Sequence, residues 1–70
     1  MRYAVLIEKG PKGFGAYVPD LPGCVAMAKT RAAALKRIHG AIAFHIEGLK
    51  KEGEPVRKPS SSVEFVEVAA

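Results

Sequence analysis

Two histidines, one cysteine and seven carboxylates are the side chains through which this chain could do acid–base, nucleophilic or metal chemistry. His39 and His45 lie six residues apart, roughly 240° around a helix, so within one chain they cannot share a metal or relay a proton. His45 falls on the apolar side of its segment, where a hydrogen-bonded core histidine is the plain reading, and His39 reads as surface. Cys24 has no histidine near it in sequence and reads as a small buried hydrophobe. The carboxylates are Glu8, Asp20, Glu47, Glu52, Glu54, Glu64 and Glu67, and they form no constellation. Glu64 and Glu67 point to opposite sides of an alternating segment, and Asp20 sits among turn residues. These spacings predict no catalytic residue, no cofactor and no bound metal. The chain should act by contact.

The elements that would carry such contacts are legible in order. Arg2–Glu8 (RYAVLIE) is apolar and rich in strand formers, and KGPKG after it is turn chemistry. The GPKG within it has the GxxG form of a nucleic-acid clamp, but that clamp joins helices; between strands it reads as a hairpin turn. Phe14–Val18 reads as a second strand and Cys24–Ala28 as a third. Thr30 to Gly53 reads as a long helix, and Glu54–Ser62, with two prolines and three serines, as loop. Val63–Val68 (VEFVEV) reads as a last strand. The expected fold is an α/β (α+β) domain of order β-β-β-α-β, a three-stranded antiparallel meander with one helix on one face and a C-terminal strand.

Thr30 has the hydroxyl of a good N-cap, although Ala33 cannot complete a capping box. Ala34, Leu35, Ile38, Ala41, Ile42, His45, Ile46 and Leu49 share an arc of about 140°, wide enough to lie on a sheet. Gly40 and Gly48 interrupt the helix, each at a cost of about 1 kcal/mol relative to alanine. Phe44 lies between them on the polar side. Two readings follow: an exposed aromatic beside tolerated glycines, or a partner-docking site with Phe44 as anchor and Gly40 and Gly48 allowing close approach.

Seventy residues make one small domain, which buries only about 60% of its unfolded surface and usually needs a staple or a partner. One cysteine allows no internal disulfide, and it fits a reducing cytoplasm. No apolar stretch approaches the roughly 18 residues of a membrane span, and residues 1 to 8 lack the form of a signal peptide. Alternation in the strands puts apolar side chains on both sheet faces, and one helix covers only one of them. Leu6, Val25 and Met27, on the face free of the helix, are therefore candidates for self-association into a homodimer or higher oligomer. The net charge of +4 comes from scattered basic residues, which reads as a solvated surface; direct nucleic-acid binding is not expected.

PDLPGC, residues 19 to 24, is the stiffest stretch. Pro22-Gly23 suits the centre of a type II turn, Pro19 ends the second strand, and Asp20 is placed to bond nearby backbone N–H groups. This reads as a rigid structural corner.

Tyr3-x-Val5-x-Ile7-Glu8, GFGAYVPDLPGCVA, Thr30-x-x-x-Ala34-Leu35 and EGEPVRKPS together resemble the HicB-like antitoxin family over about residues 3 to 68. The specific marks are VPDLPGC and G-E-P-V-x-x-P-S. The resemblance implies a partial ribonuclease-H-like core domain, whose fold brings no nuclease activity with it. It also implies an antitoxin that binds HicA, a small mRNA-cleaving toxin, and blocks its active site by steric cover. Residues 1–70 are then a single core domain, without the C-terminal DNA-binding domain that many members carry. Two other functions stay open: an orphan oligomerisation or scaffold module, and a weak RNA binder using Lys9, Lys12 and the helix's basic residues.

Overall fold

The computed structural model describes residues 1–70. Strands β1 (Leu6–Gly10), β2 (Gly13–Tyr17) and β3 (Val25–Ala28) form one antiparallel sheet in the order β1-β2-β3. Helix α1 (Arg31–Lys51) packs across one face, over β3 and β2 more than over β1. The expected α+β meander with a single covering helix is present.

Each junction has a local cause. Gly10 pairs with Gly13, so Pro11 and Lys12 alone make the first turn. A Cβ at Gly13 would stand 2.5 Å from the Ala28 carbonyl oxygen, so β3 can lie this close only to glycine. Thr30 caps α1, its Oγ1 accepting from the Ala33 N–H at 3.1 Å. At the other end Gly53 takes φ +70°, the Glu54 N–H reaches the Leu49 carbonyl at 2.9 Å and the Gly53 N–H reaches Lys50 at 3.2 Å. This is the Schellman stop that a glycine after the last turn favours.

Six side chains form the buried core: Ala16 and Val18 from the end of β2, Leu21 and Cys24 from the corner, Ala34 and Ile38 from α1. Tyr3 and Val5 from the N-terminal segment, and Ile7, Ala26 and Ala28 from the sheet, pack around it. Full burial of a side chain such as Leu21 or Ile38 contributes about 1.5–3 kcal/mol.

Two boundaries differ from the sequence expectation. The first strand starts at Leu6 instead of Arg2, because Leu6 pairs with Tyr17 and beyond Tyr17 the chain turns into the corner. Residues 2–5 have no ladder neighbour. Val63–Val68 forms no strand, and residues 61–70 are exposed throughout. A period-two pattern supplies propensity, but a ladder needs a partner, and no strand of this chain runs beside it.

Candidate interaction surfaces

The side chains suited to chemistry stay apart in the fold. No group of three or more His, Cys, Asp or Glu side chains could hold a metal ion. Cys24 is buried, and desolvation pushes its thiol pKa up, away from the thiolate form. His39 is exposed beside the apolar side of the helix. His45 is half-buried and makes no side-chain hydrogen bond, so it is not the satisfied core histidine expected from the helical stripe. It sits at the rim of a shallow hollow with Phe44 and Leu49.

The corner is built more closely than a single turn. The Leu21 N–H bonds the Val18 carbonyl at 3.1 Å and the Cys24 N–H bonds the Leu21 carbonyl at 3.0 Å, so Pro19 and Pro22 each occupy the second position of a tight turn. Gly23 takes φ +85°, as a type II turn requires at that place. The Val18 N–H closes the pair of turns on the Cys24 carbonyl at 3.3 Å. Leu21, between the turns, is driven into the core and is only 1% exposed.

Asp20 points elsewhere. Its carboxylate accepts four hydrogen bonds from the far end of the chain: Ser60 N–H at 2.9 Å, Ser60 Oγ at 3.1 Å, Ser61 N–H at 3.0 Å and Ser61 Oγ at 2.8 Å. The local backbone bonds expected of it are absent. The prolines have no N–H, and the amides of Leu21 and Cys24 are spent on the turns. The Ser61 and Ser60 amides, with the Ser61 hydroxyl, hold the Asp20 carboxyl near pKa 2, down from 3.8, against the opposing effect of burial. A second tie fastens the same segment, the Tyr3 hydroxyl donating to the Arg57 carbonyl at 2.6 Å.

Three surfaces remain without intramolecular cover. On α1, Phe44 is 82% exposed between Gly40 and Gly48, and a Cβ at either glycine would meet nothing within 4 Å. On the sheet face opposite the helix, Leu6 and Val25 flank Tyr17 in one row and Met27 stands opposite Gly15 in the next. Val25 and Met27 are exposed and Leu6 is half-buried, so the three self-association candidates do share one face. Where the N-terminal segment leading into β1 faces the helix lies an apolar groove of about 430 Å³, lined by Tyr3, Val5, Leu35, Ile38, Ile42 and Ile46 among others. Periodicity did not reveal this groove, because Leu35 and Ile42 count there as core-facing.

Comparison with known proteins decides what kind of module carries these surfaces. Residues 3–69 match the family described as HicB_like antitoxin of bacterial toxin-antitoxin system. The chain belongs to the HicB-like antitoxin family. A chain of a solved HicA3 and HicB3 toxin-antitoxin complex superposes with a TM-score of 0.74 at 38% identity, covering 86% of this chain and 70% of that one. A UPF0150 protein of Helicobacter pylori is 34% identical over 65 residues, 91% of this chain and 90% of the relative. A 14.9 kDa protein of the rep-hol intergenic region of Haemophilus phage HP1 is 35% identical over 66 residues, 94% of this chain. The chain spans 50% of the length of that phage relative.

In this HicB-like antitoxin the two most specific sequence marks, VPDLPGC and GEPVRKPS, are in contact through Asp20 and Ser60. Their joint presence therefore has a physical cause. One supplies the carboxylate and the other the donors.

Proposed function

We propose that this HicB-like antitoxin acts without catalysis, by binding a HicA-type mRNA-cleaving toxin in the cytoplasm and covering its catalytic surface. The observation that carries this reading is the exposed Gly40–Phe44–Gly48 line on α1, set on a chain of antitoxin family. A large aromatic surrounded by water has no stabilising role in the free chain. Two interior glycines with open space around them destabilise a helix by about 1 kcal/mol each relative to alanine. Both features make sense if a partner approaches the helix backbone closely and encloses the ring.

Self-association accompanies this function, through the sheet face of Leu6, Val25 and Met27. A homodimer would present two helix lines and two toxin sites. An exposed apolar face of this kind on a small domain marks an interaction site more often than plain surface.

The test is co-expression with a HicA-type toxin, scored by growth rescue and co-purification. The wild-type chain is expected to rescue growth. Phe44→Ala should lose rescue while keeping its helical circular dichroism. Gly40→Ala with Gly48→Ala should raise stability by about 2 kcal/mol in urea titration and still weaken toxin binding. Stabilised variants that bind as well as wild type would show that the glycines are idle. An isolated dimer that rescues against no toxin would leave the scaffold function.

One observation favours a second reading. Lys9, Lys12, Lys29 and Arg37 line a hollow of about 830 Å³ where the β1–β2 turn meets the start of α1. Phosphate contacts there would make RNA binding fall steeply with salt. Arg37 is partly occupied, its guanidinium donating to the Met27 carbonyl at 2.7 Å. A weak, salt-independent filter-binding response would remove this reading.

A further inference from the structure

We infer that residues 63–68 form an exchange arm, which lies in the apolar groove beside β1 of a second copy of this chain; the inference rests on the self-association reading and gives it a second contact. The arm has what a strand needs except a neighbour. It alternates in strand-forming residues, and Phe65 is 94% exposed with Val66 and Val68 scarcely less so. It is also aimed. Asp20 grips Ser60 and Ser61 at the corner, so the arm leaves the body from a fixed point.

The groove has the matching deficit. β1 is an edge strand, pairing only with β2, so its outer backbone groups have no ladder partner. Beside it Tyr3, Val5, Ile42 and Ile46 are only half-buried. A strand laid along residues 2–5, which lead into β1 and have no ladder neighbour, would turn Val63 and Phe65 into the groove, with Glu67 on the same side.

Charge favours the body of a second copy over its arm as the occupied surface. Residues 63–70 hold two of the chain's seven acidic residues and none of its eleven basic ones, so an acidic arm meets a basic body. His39 lines the groove, and Arg2 lies between two residues that line it, Met1 and Tyr3. Arm-to-arm pairing has the opposite sign: antiparallel pairing of Val63 with Val68 sets Glu64 against Glu67 twice, and like charges directly opposite are destabilising.

Sedimentation at about 50 µM, with circular dichroism as the folding check, tests the arm. The full chain is expected to be a dimer. A chain ending at Ser62 should stay folded, and both it and Phe65→Asp should dimerise roughly thirtyfold or more weakly than the full chain. Mixing His39→Cys chains with Val63→Cys chains under mild oxidation should give the mixed disulfide; buried Cys24 does not compete. A monomeric full chain would overturn the arm and the self-association reading together. A chain ending at Ser62 that dimerises as tightly as the full chain would overturn the arm alone, leaving the sheet face as the interface. Val63→Cys chains that link to Val68→Cys chains and not to His39→Cys chains would show arm-to-arm pairing and also overturn it.

Discussion

Leu21→Ala is expected to leave the chain largely unfolded at 25 °C, with helical circular dichroism lost and no cooperative urea transition. Leu21 is one of the two largest fully buried side chains, and it is the only apolar group that the corner's twin turns aim inward from between the prolines. Truncating such a leucine costs about 2–5 kcal/mol, from lost transfer energy and the cavity left behind. A single core in a domain this small rarely supplies more than about 3–5 kcal/mol. The loss is therefore comparable with the whole stability. Val25→Ala, on the exposed sheet face, should move the urea midpoint little in the monomer, by about 0.5 kcal/mol or less. A Leu21→Ala variant that unfolds at the wild-type midpoint would show that the corner is not part of the core.

Asp20→Asn is expected to free the segment from Ser60 onward and lower the melting temperature by on the order of 10 °C. Asparagine keeps the shape and loses the charge, and its amide group turns a donor toward four donors. Ser60→Ala and Ser61→Ala should each do less, because both backbone N–H groups still bond the carboxylate. The pH dependence follows from the lowered pKa. Asp20 titrates near 2 in the folded chain and 3.8 is its ordinary value, so its contribution is complete above the ordinary value. It is lost as pH falls from 3.8 through about 2, where the unfolded chain binds the proton more readily. Melting temperature against pH should fall over that interval in the wild type and change less in Asp20→Asn. Equal slopes in the two proteins would refute the latch.

Local signals made most of the fold legible. The Thr30 cap and the Gly53 stop act within a few residues and stand where the pattern put them; of the apolar stripe Ala34, Ile38, Ala41, Ile42 and Ile46 join the core, while Leu35 lies exposed at its edge. Period-two alternation likewise sorted Tyr3, Val5 and Ile7 toward the core and Leu6, Val25 and Met27 away from it. The misses were non-local. VEFVEV carries strand propensity, but pairing depends on a neighbour that propensity does not name. Leu21 stands alone among turn residues and so has no period to betray it.

The Asp20 latch was the hardest feature to read, since its partners lie forty residues away. One signal was present nonetheless. An aspartate framed by two prolines has few amides of its own to bind, and two tight turns consume those that remain. Its acceptor capacity has to be met from elsewhere. Among the surfaces, Phe44 was legible as exposed because it interrupts the polar side of the helix, whereas the groove beside β1 depends on where α1 sits across the sheet.

The latch also sets an order in time. The hairpin, the twin turns and the helix close contacts between near neighbours, which form fast, while joining residue 20 to residue 60 must await everything between them. The tie is last to form and should be first to open. In hydrogen exchange, the amides of Ser60 and Ser61 should lose protection by local opening, well ahead of Ile38, which exchanges only when the whole chain unfolds.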